Sequence, residues 1–209
     1  MALVSALVAA LYFAAAGRVD LPLAWACLAL MAGGMLAVVA SIDRELLQER
    51  LRPAPGGIDR RIRALILPFF VAHLVVAGLD ARYGWSAVPT ALGVAGLVGM
   101  ALSMGPTLWA MRVNRFFSPV VRIQSERGHP LVTDGPYGFI RHPGYLGALA
   151  GFVFGGLALG SWWALLPLSG GVFFMLRRTV LEDRYLRENL PGYADYVRRV
   201  RYRLVPGVW

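Results

Sequence analysis

Apolar residues fall along the chain in six blocks, at about 2–17, 21–41, 64–80, 85–111, 145–160 and 161–176. Polar residues collect between and after them. A helix needs ~20 apolar residues to cross a bilayer, range ~17–25. The second and fourth blocks exceed that length, and the third sits at its lower limit. The first is short, but it lacks the basic leader of a signal peptide and five apolar blocks follow it, so it predicts a first span. The fifth and sixth hold ~16 residues each, near ~24 Å of helix. Only Gly160-Ser161 separates them, which predicts a tight helical hairpin. Gly147, Gly151 and Gly155 repeat a small residue every fourth position on its first leg, a spacing that lets membrane helices pack closely. Trp162 and Trp163 fall at its turn, where interfacial tryptophan is expected. The pattern predicts an all-α fold, a polytopic membrane bundle of about six spans.

The polar intervals orient that bundle. Segment 42–63 holds six arginines, segment 112–144 five, and the tail from 177 eight. Six spans with the amino terminus inside place 19 of the 21 arginines on the cytoplasmic side, as the positive-inside rule requires. Both termini and both long polar segments then share that face. Segment 42–63 reads as an extension of the second helix followed by a surface loop at Pro53-Ala54-Pro55-Gly56-Gly57. Its Asp43, Glu45 and Glu49 read as solvated charges.

Composition supports the membrane reading. Apolar residues make up 57% of the 209 and charged residues 16%, against ~25% in soluble domains. Too few charges remain to cover a soluble globule, which excludes a soluble enzyme, a disordered chain and a fibrous repeat. The net charge is +9, carried by arginine with no lysine. Arginine beside anionic lipid accounts for it without nucleic acid. The arginine bias suggests a GC-rich genome, and a bacterial inner membrane is the expected location. Cys27 is the only cysteine, so neither an internal disulfide nor a cysteine zinc cluster can form.

The spans carry little chemistry. His73 in the third reads as a packing or interface histidine, and Asp20 and Asp80 lie at span ends. With no ionisable residue on a mid-membrane path, an ion pump is disfavoured. The chemistry gathers in two places. Residues 111–147 hold His129 and His142, Asn114, Gln124, Glu126 and Asp134, with a density of Pro and Gly that shapes a loop without regular structure. Such a segment beside a membrane reads as a ligand-binding loop. In the tail, Arg178 and Glu182 share a helix face. Leu190-Pro191-Gly192 ends that helix. A short helix from Tyr193 to about Arg201 follows, with Tyr193, Tyr196, Val197 and Val200 on one side. It reads either as a basic helix on the membrane surface or as part of the site. The organisation expected is a four-span region, 1–111, and a catalytic region, 112–209.

The combined pattern of Gly135-Pro136-Tyr137, Arg141-His142-Pro143, Tyr145 and Gly147, then Glu182-Asp183, Leu186, Tyr193 and Tyr196, resembles the isoprenylcysteine carboxyl methyltransferase and phospholipid methyltransferase families of integral membrane enzymes. The likeness covers about half the chain. It departs at Asp183, where those families usually have a second glutamate, and in the shortened turn before Tyr193. The resemblance implies S-adenosylmethionine bound at the cytoplasmic face. It makes His129, Tyr137, Arg141, His142, Pro143 and Tyr145 cofactor candidates and Leu131, Val132 and Gly135 backbone contacts. Arg178 and Glu182 become catalytic, acceptor-side candidates, with Glu182 also near the cofactor.

The residue types suit that ligand. Arg141 or Arg178 can grip a carboxylate in bidentate fashion. Glu182 can face a sulfonium or ammonium, and tyrosine faces suit cations and adenine. No strand–Gly-x-Gly–helix unit is present for a soluble nucleotide fold. The spacing reveals no histidine–carboxylate dyad, which favours an acceptor already ionised at neutral pH, although His129, His142 or Glu182 remains available as a base. The expected function is methyl transfer to a lipid-like or small acceptor, through a carboxylate or thiol rather than an amine. The alternatives are an NADPH-dependent membrane reductase, a phospholipid N-methyltransferase and a non-catalytic membrane subunit. No metal is expected.

Overall fold

The computed structural model describes residues 2–209. Eight α-helices form: α1 (Ala2–Ala16), α2 (Pro22–Ser41), α3 (Arg44–Leu51), α4 (Arg60–Tyr83), α5 (Thr90–Val113), α6 (Pro143–Ala158), α7 (Leu165–Asn189) and α8 (Tyr193–Arg199). Among the described residues there is no strand. Short 3-10 turns occur at Ser125–Arg127 and Gly135–Gly138. Each of the six apolar blocks becomes a helix. Pro22 and Pro143 start α2 and α6, where a missing N–H costs nothing. Gly84 closes α4 in the left-handed conformation.

Three helices, α2, α4 and α5, are long and apolar enough to cross a membrane, and α1 and α6 are apolar but shorter. Large apolar side chains such as Leu36, Leu67, Leu102 and Leu166 point away from the protein. This is the surface of a membrane protein, whose outer solvent is lipid.

The second helix does not extend into the polar segment. It stops at Ser41, and Asp43 caps a separate helix, α3, by accepting the Leu46 N–H at 2.7 Å. The expected tight hairpin is also looser than its short connection suggested. Residues 159–164 join α6 to α7, but α6 packs chiefly on α5 and α7 on α4. The glycine stripe is the cause. A Cβ on Gly147 would collide with Ser103 O and Thr107 Oγ1 of α5, and one on Gly151 would lie 3.0 Å from Ser103 Oγ.

The core has two parts. Tyr12, Ala16, Cys27, Leu74, Ala77, Met100 and Ala158 fill the first, among α1, α2, α4, α5 and α6. The second lies at the other end, where Ala110, Tyr137, Leu190, Tyr193 and Tyr196 meet. Asp80 is buried rather than merely terminal. It accepts the N–H and hydroxyl of Ser86 and the hydroxyl of Ser161, tying the α4–α5 and α6–α7 connections together. His73 is satisfied by the Ala164 carbonyl at 2.9 Å.

Candidate active site

A cavity of about 310 Å³ opens at the second core, between α5, α6, α7, α8 and the loop 114–142. Ligand pockets begin at roughly this size. His129, Leu131, Val132, Tyr137, Arg141, His142, Pro143, Tyr145, Arg178 and Glu182 all line it. Of the cofactor and catalytic candidates named from the sequence, only Gly135 does not. It turns the chain at φ 58°, where a Cβ would sit 2.9 Å from Trp109 Nε1, so its role is to seat the 3-10 turn on α5.

Asp183 organises the floor. It is 1% exposed and accepts from Arg141 Nε at 2.7 Å and Nη2 at 3.1 Å, Tyr193 Oη at 3.0 Å and Arg203 Nε at 3.1 Å. Arg141 spends its Nη1 on the carbonyls of Val200 and Arg201. The carboxylate it grips is therefore the protein's own. Burial pushes the Asp183 carboxyl up, but hydrogen bonds from His142 and Arg141 override that and hold it well below the usual carboxylate range.

His142 Nε2 stands 3.4 Å from Asp183 Oδ1, and its Nδ1 lies 3.9 Å from Glu182 Oε1. This is the histidine–carboxylate pairing that spacing did not reveal, because 41 residues separate the partners. Tyr145 stacks with the His142 ring at 5.6 Å, donates its hydroxyl to Glu182, and carries the Arg178 guanidinium 5.2 Å from its ring centroid. One continuous helix face places Arg178 and Glu182 one turn apart beside it.

Arg178 has two protein partners. Its Nε donates to Asp59 Oδ2 at 2.8 Å and its Nη2 to the Pro119 carbonyl at 2.7 Å. Asp59 also accepts the Val121 N–H, while Ile58 N–H reaches Val121 O. The 52–59 loop is thus strapped over the 118–122 strand of loop. Glu49 does the same from α3. It is 7% exposed and takes a bidentate pair from Arg122 and the Ser118 hydroxyl, so it is not the solvated charge its polar neighbours implied. Glu45 remains on the surface with Arg115 and Arg127.

His129 stacks on Phe116 at 4.4 Å, and its Nδ1 accepts the Gln124 N–H at 3.3 Å. Burial, then the charges of Arg122 and Arg127, lower its pKa to about 4. The ring is neutral at pH 7, and its proton sits on Nε2 as a free donor. Leu131 and Val132 neither donate nor accept in the backbone hydrogen-bond network. Their amides are available to a ligand on the cavity wall.

Tyr193 and Tyr196 anchor α8. Tyr193 binds Asp183, and Tyr196 donates to the Tyr137 carbonyl at 2.7 Å. Both are buried, so the apolar side of α8 faces protein and not a membrane surface. The sequence reading missed Arg50, Asp59 and the Glu49–Arg122 pair. Each lies in, or reaches across from, a segment that looked like an ordinary connector.

Residues 90–191 match the model of the phospholipid methyltransferase family. Over these residues, just under half of its length, the chain is similar to that family. The match covers α5 to the end of α7 and so nearly all of the cavity wall. Two relatives carry other names. The cobalt-zinc-cadmium resistance protein CzcN of Cupriavidus metallidurans is 28% identical over 140 residues, 65% of this chain and 58% of that protein. The nickel-cobalt-cadmium resistance protein NccN of Alcaligenes xylosoxydans xylosoxydans is 28% identical over 159 residues, 71% of this chain and 70% of that protein. The chain spans less than two thirds of the first relative's length. Among the described residues, no three His, Cys, Asp or Glu side chains gather as a metal site would need.

Proposed function

We propose that this protein transfers a methyl group from S-adenosylmethionine to an amphiphilic or small acceptor at the cytoplasmic face of a bacterial inner membrane. The observation that carries the reading is the convergence of sequence-distant polar groups on one cavity inside the family-matched region. When bound, S-adenosylmethionine would supply an activated methyl group on a sulfonium cation, passed in line to the acceptor as the S–CH3 bond breaks and S-adenosylhomocysteine leaves as a neutral thioether.

The residues fit that cofactor. Leu131 and Val132 offer unpaired amides, His129 a free Nε2–H, and Glu182 a carboxylate for a neighbouring cation. Arg178 keeps its Nη1 free of protein partners, since only Nε and Nη2 are engaged. We assign it to orienting the acceptor. Tyr145 fixes the Glu182 carboxylate, and the Asp183–His142 contact fixes the imidazole. A carboxylate acceptor needs no base here. A thiol would pass its proton to His142 or Glu182. The apolar wall excludes water, and alignment of this kind lowers a barrier by up to ~7–11 kcal/mol.

Calorimetry on the detergent-purified protein tests the reading. Micromolar binding of S-adenosylhomocysteine and no NADPH signal is the expected result, with weaker binding in His142→Ala. NADPH binding alone would favour a membrane reductase. Binding of neither, in a folded sample, would leave a partner-binding surface.

A further inference from the structure

The chain leaves α8 at Arg199 and runs back to the start of α6. Arg141 N–H donates to the Tyr202 carbonyl at 3.0 Å, and His142 N–H to the Arg203 carbonyl at 2.9 Å. Arg141 Nη1 adds bonds to the carbonyls of Val200 and Arg201. Segment 200–203 is therefore pinned beside residues 141 and 142, directly before Pro143 opens α6. α6 has 16 residues, or ~24 Å, against a hydrocarbon core of ~30 Å. A span that short holds its first residue at the membrane boundary. The segment paired with it lies at the same depth.

The surface of segment 200–209 suits that depth. Leu204 is buried, while Tyr202, Val205 and Val208 are exposed, Val208 at 79%. Phe139, two residues ahead of Arg141, is 68% exposed. The N–H groups of Arg203, Leu204 and Val205 donate to the main-chain oxygen of Trp209, and those of Val208 and Trp209 to Val205 O. With these donors satisfied internally, leaving water costs the backbone little. The charge is positive. Residues 195–209 hold four arginines and one aspartate. Asp195 is spent on Arg198, and Arg203 on the buried Asp183. Arg199 and Arg201 are exposed and form no ion pair among the described residues. Asp134 is the exposed acid of the neighbouring turn, and the arginines outnumber it.

We propose that this surface docks on anionic lipid. Val205, Val208 and Phe139 enter the acyl boundary, Tyr202 lies among the head groups, and Arg199 and Arg201 pair with lipid phosphates. A protein partner would have to displace lipid to reach residues at that depth. The proposal rests on α6 crossing the bilayer and not on the reaction in the cavity.

The whole protein, reconstituted in nanodiscs, tests it. Val208→Cys, Phe139→Cys and Val153→Cys each carry the fluorophore NBD, since the native Cys27 is buried. Val153, exposed on α6, reports the span itself. Quenching by lipid spin-labelled at shallow or deep acyl positions is read in phosphatidylcholine, alone or in equal parts with phosphatidylglycerol. Val153→Cys should be quenched by the deep label in both. Val208→Cys and Phe139→Cys should be quenched by the shallow label, about twofold more strongly with phosphatidylglycerol present. Arg199→Gln combined with Arg201→Gln should remove that gain. Labels at positions 208 and 139 that stay unquenched beside a quenched 153 overturn the proposal and leave the surface to a protein partner. A gain that survives the paired arginine variant overturns it too. An unquenched label at 153 would show that α6 is not a span and would sink the proposal with it. That failure is separate from failure of the methyl-transfer reading, which S-adenosylhomocysteine binding decides.

Discussion

Asp183 and His129 show how individual residues make the site pH-dependent. The Asp183 carboxyl is held below its ordinary range, so its ion pairs contribute stability at neutral pH that is lost as pH falls below ~3.9 toward the folded value. Removing it leaves the Arg141 charge buried with backbone carbonyls but no carboxylate. We expect Asp183→Ala to cost ~3–5 kcal/mol at pH 7, read by chemical denaturation. His129 acts through the opposite charge with the same slope. Its folded pKa of about 4 lies below the ordinary 6.5, so between those values the unfolded chain binds the extra proton. Stability should rise with pH across that window and level off above it. His129→Asn should flatten the rise, measured as denaturation midpoint against pH. An unchanged profile would show that the ring charges freely. These groups differ in how readable they were. His129 stood out as a histidine within a Pro- and Gly-rich loop. The buried state of Asp183 depends on four hydrogen-bond partners, Arg141, His142, Tyr193 and Arg203, none three or four residues from it, and only its longer contact with Arg187 follows helical spacing.

Helices and straps bring the distant parts together. The family-matched half was legible because its signal is local. Gly135-Pro136-Tyr137 and Arg141-His142-Pro143 lie within a few residues, and Arg178 with Glu182 on one turn. Segment 42–63 was not. No periodicity links Asp59 to Arg178 or Glu49 to Arg122, and charged residues beside Pro and Gly look the same whether solvated or strapped to a neighbour. The glycine stripe was readable as packing, though its partner was not. It faces α5, and α5 with α6 makes one wall of the cavity. Gly147→Ala should therefore press α6 away from Ser103 and Thr107, costing ~1–3 kcal/mol and weakening S-adenosylhomocysteine binding. Gly33→Ala, where a Cβ meets nothing within 4 Å, should do neither. Equal melting shifts for the two variants would show that the α5–α6 contact does not govern the cavity.

At the scale of the whole molecule, the connections separate into two sets. Segments 42–63, 112–144 and 177–209 meet around the cavity through the Asp59–Arg178, Glu49–Arg122 and Arg141–Asp183 pairs. The connections 84–89 and 159–164 meet at the opposite end around Asp80. The arginines follow the same division, 19 of 21 lying in the first set. A chain crossing the membrane six times, with its amino terminus inside, satisfies both observations. On that proposed path the apolar stretches of α1, α6 and α7 would be spans despite their modest length, and polar residues 177–189 of α7 would carry the site beyond the bilayer. Single-cysteine labelling in intact cells tests this path, because the native Cys27 is buried. Ala87→Cys should react with an impermeant maleimide from outside, and Ser125→Cys only after the membrane is opened. The reverse pattern would invert the protein and move the cavity away from the cytoplasm. Labelling of both from one side would break the six-span path, because the two ends of α5 could not then lie on opposite faces.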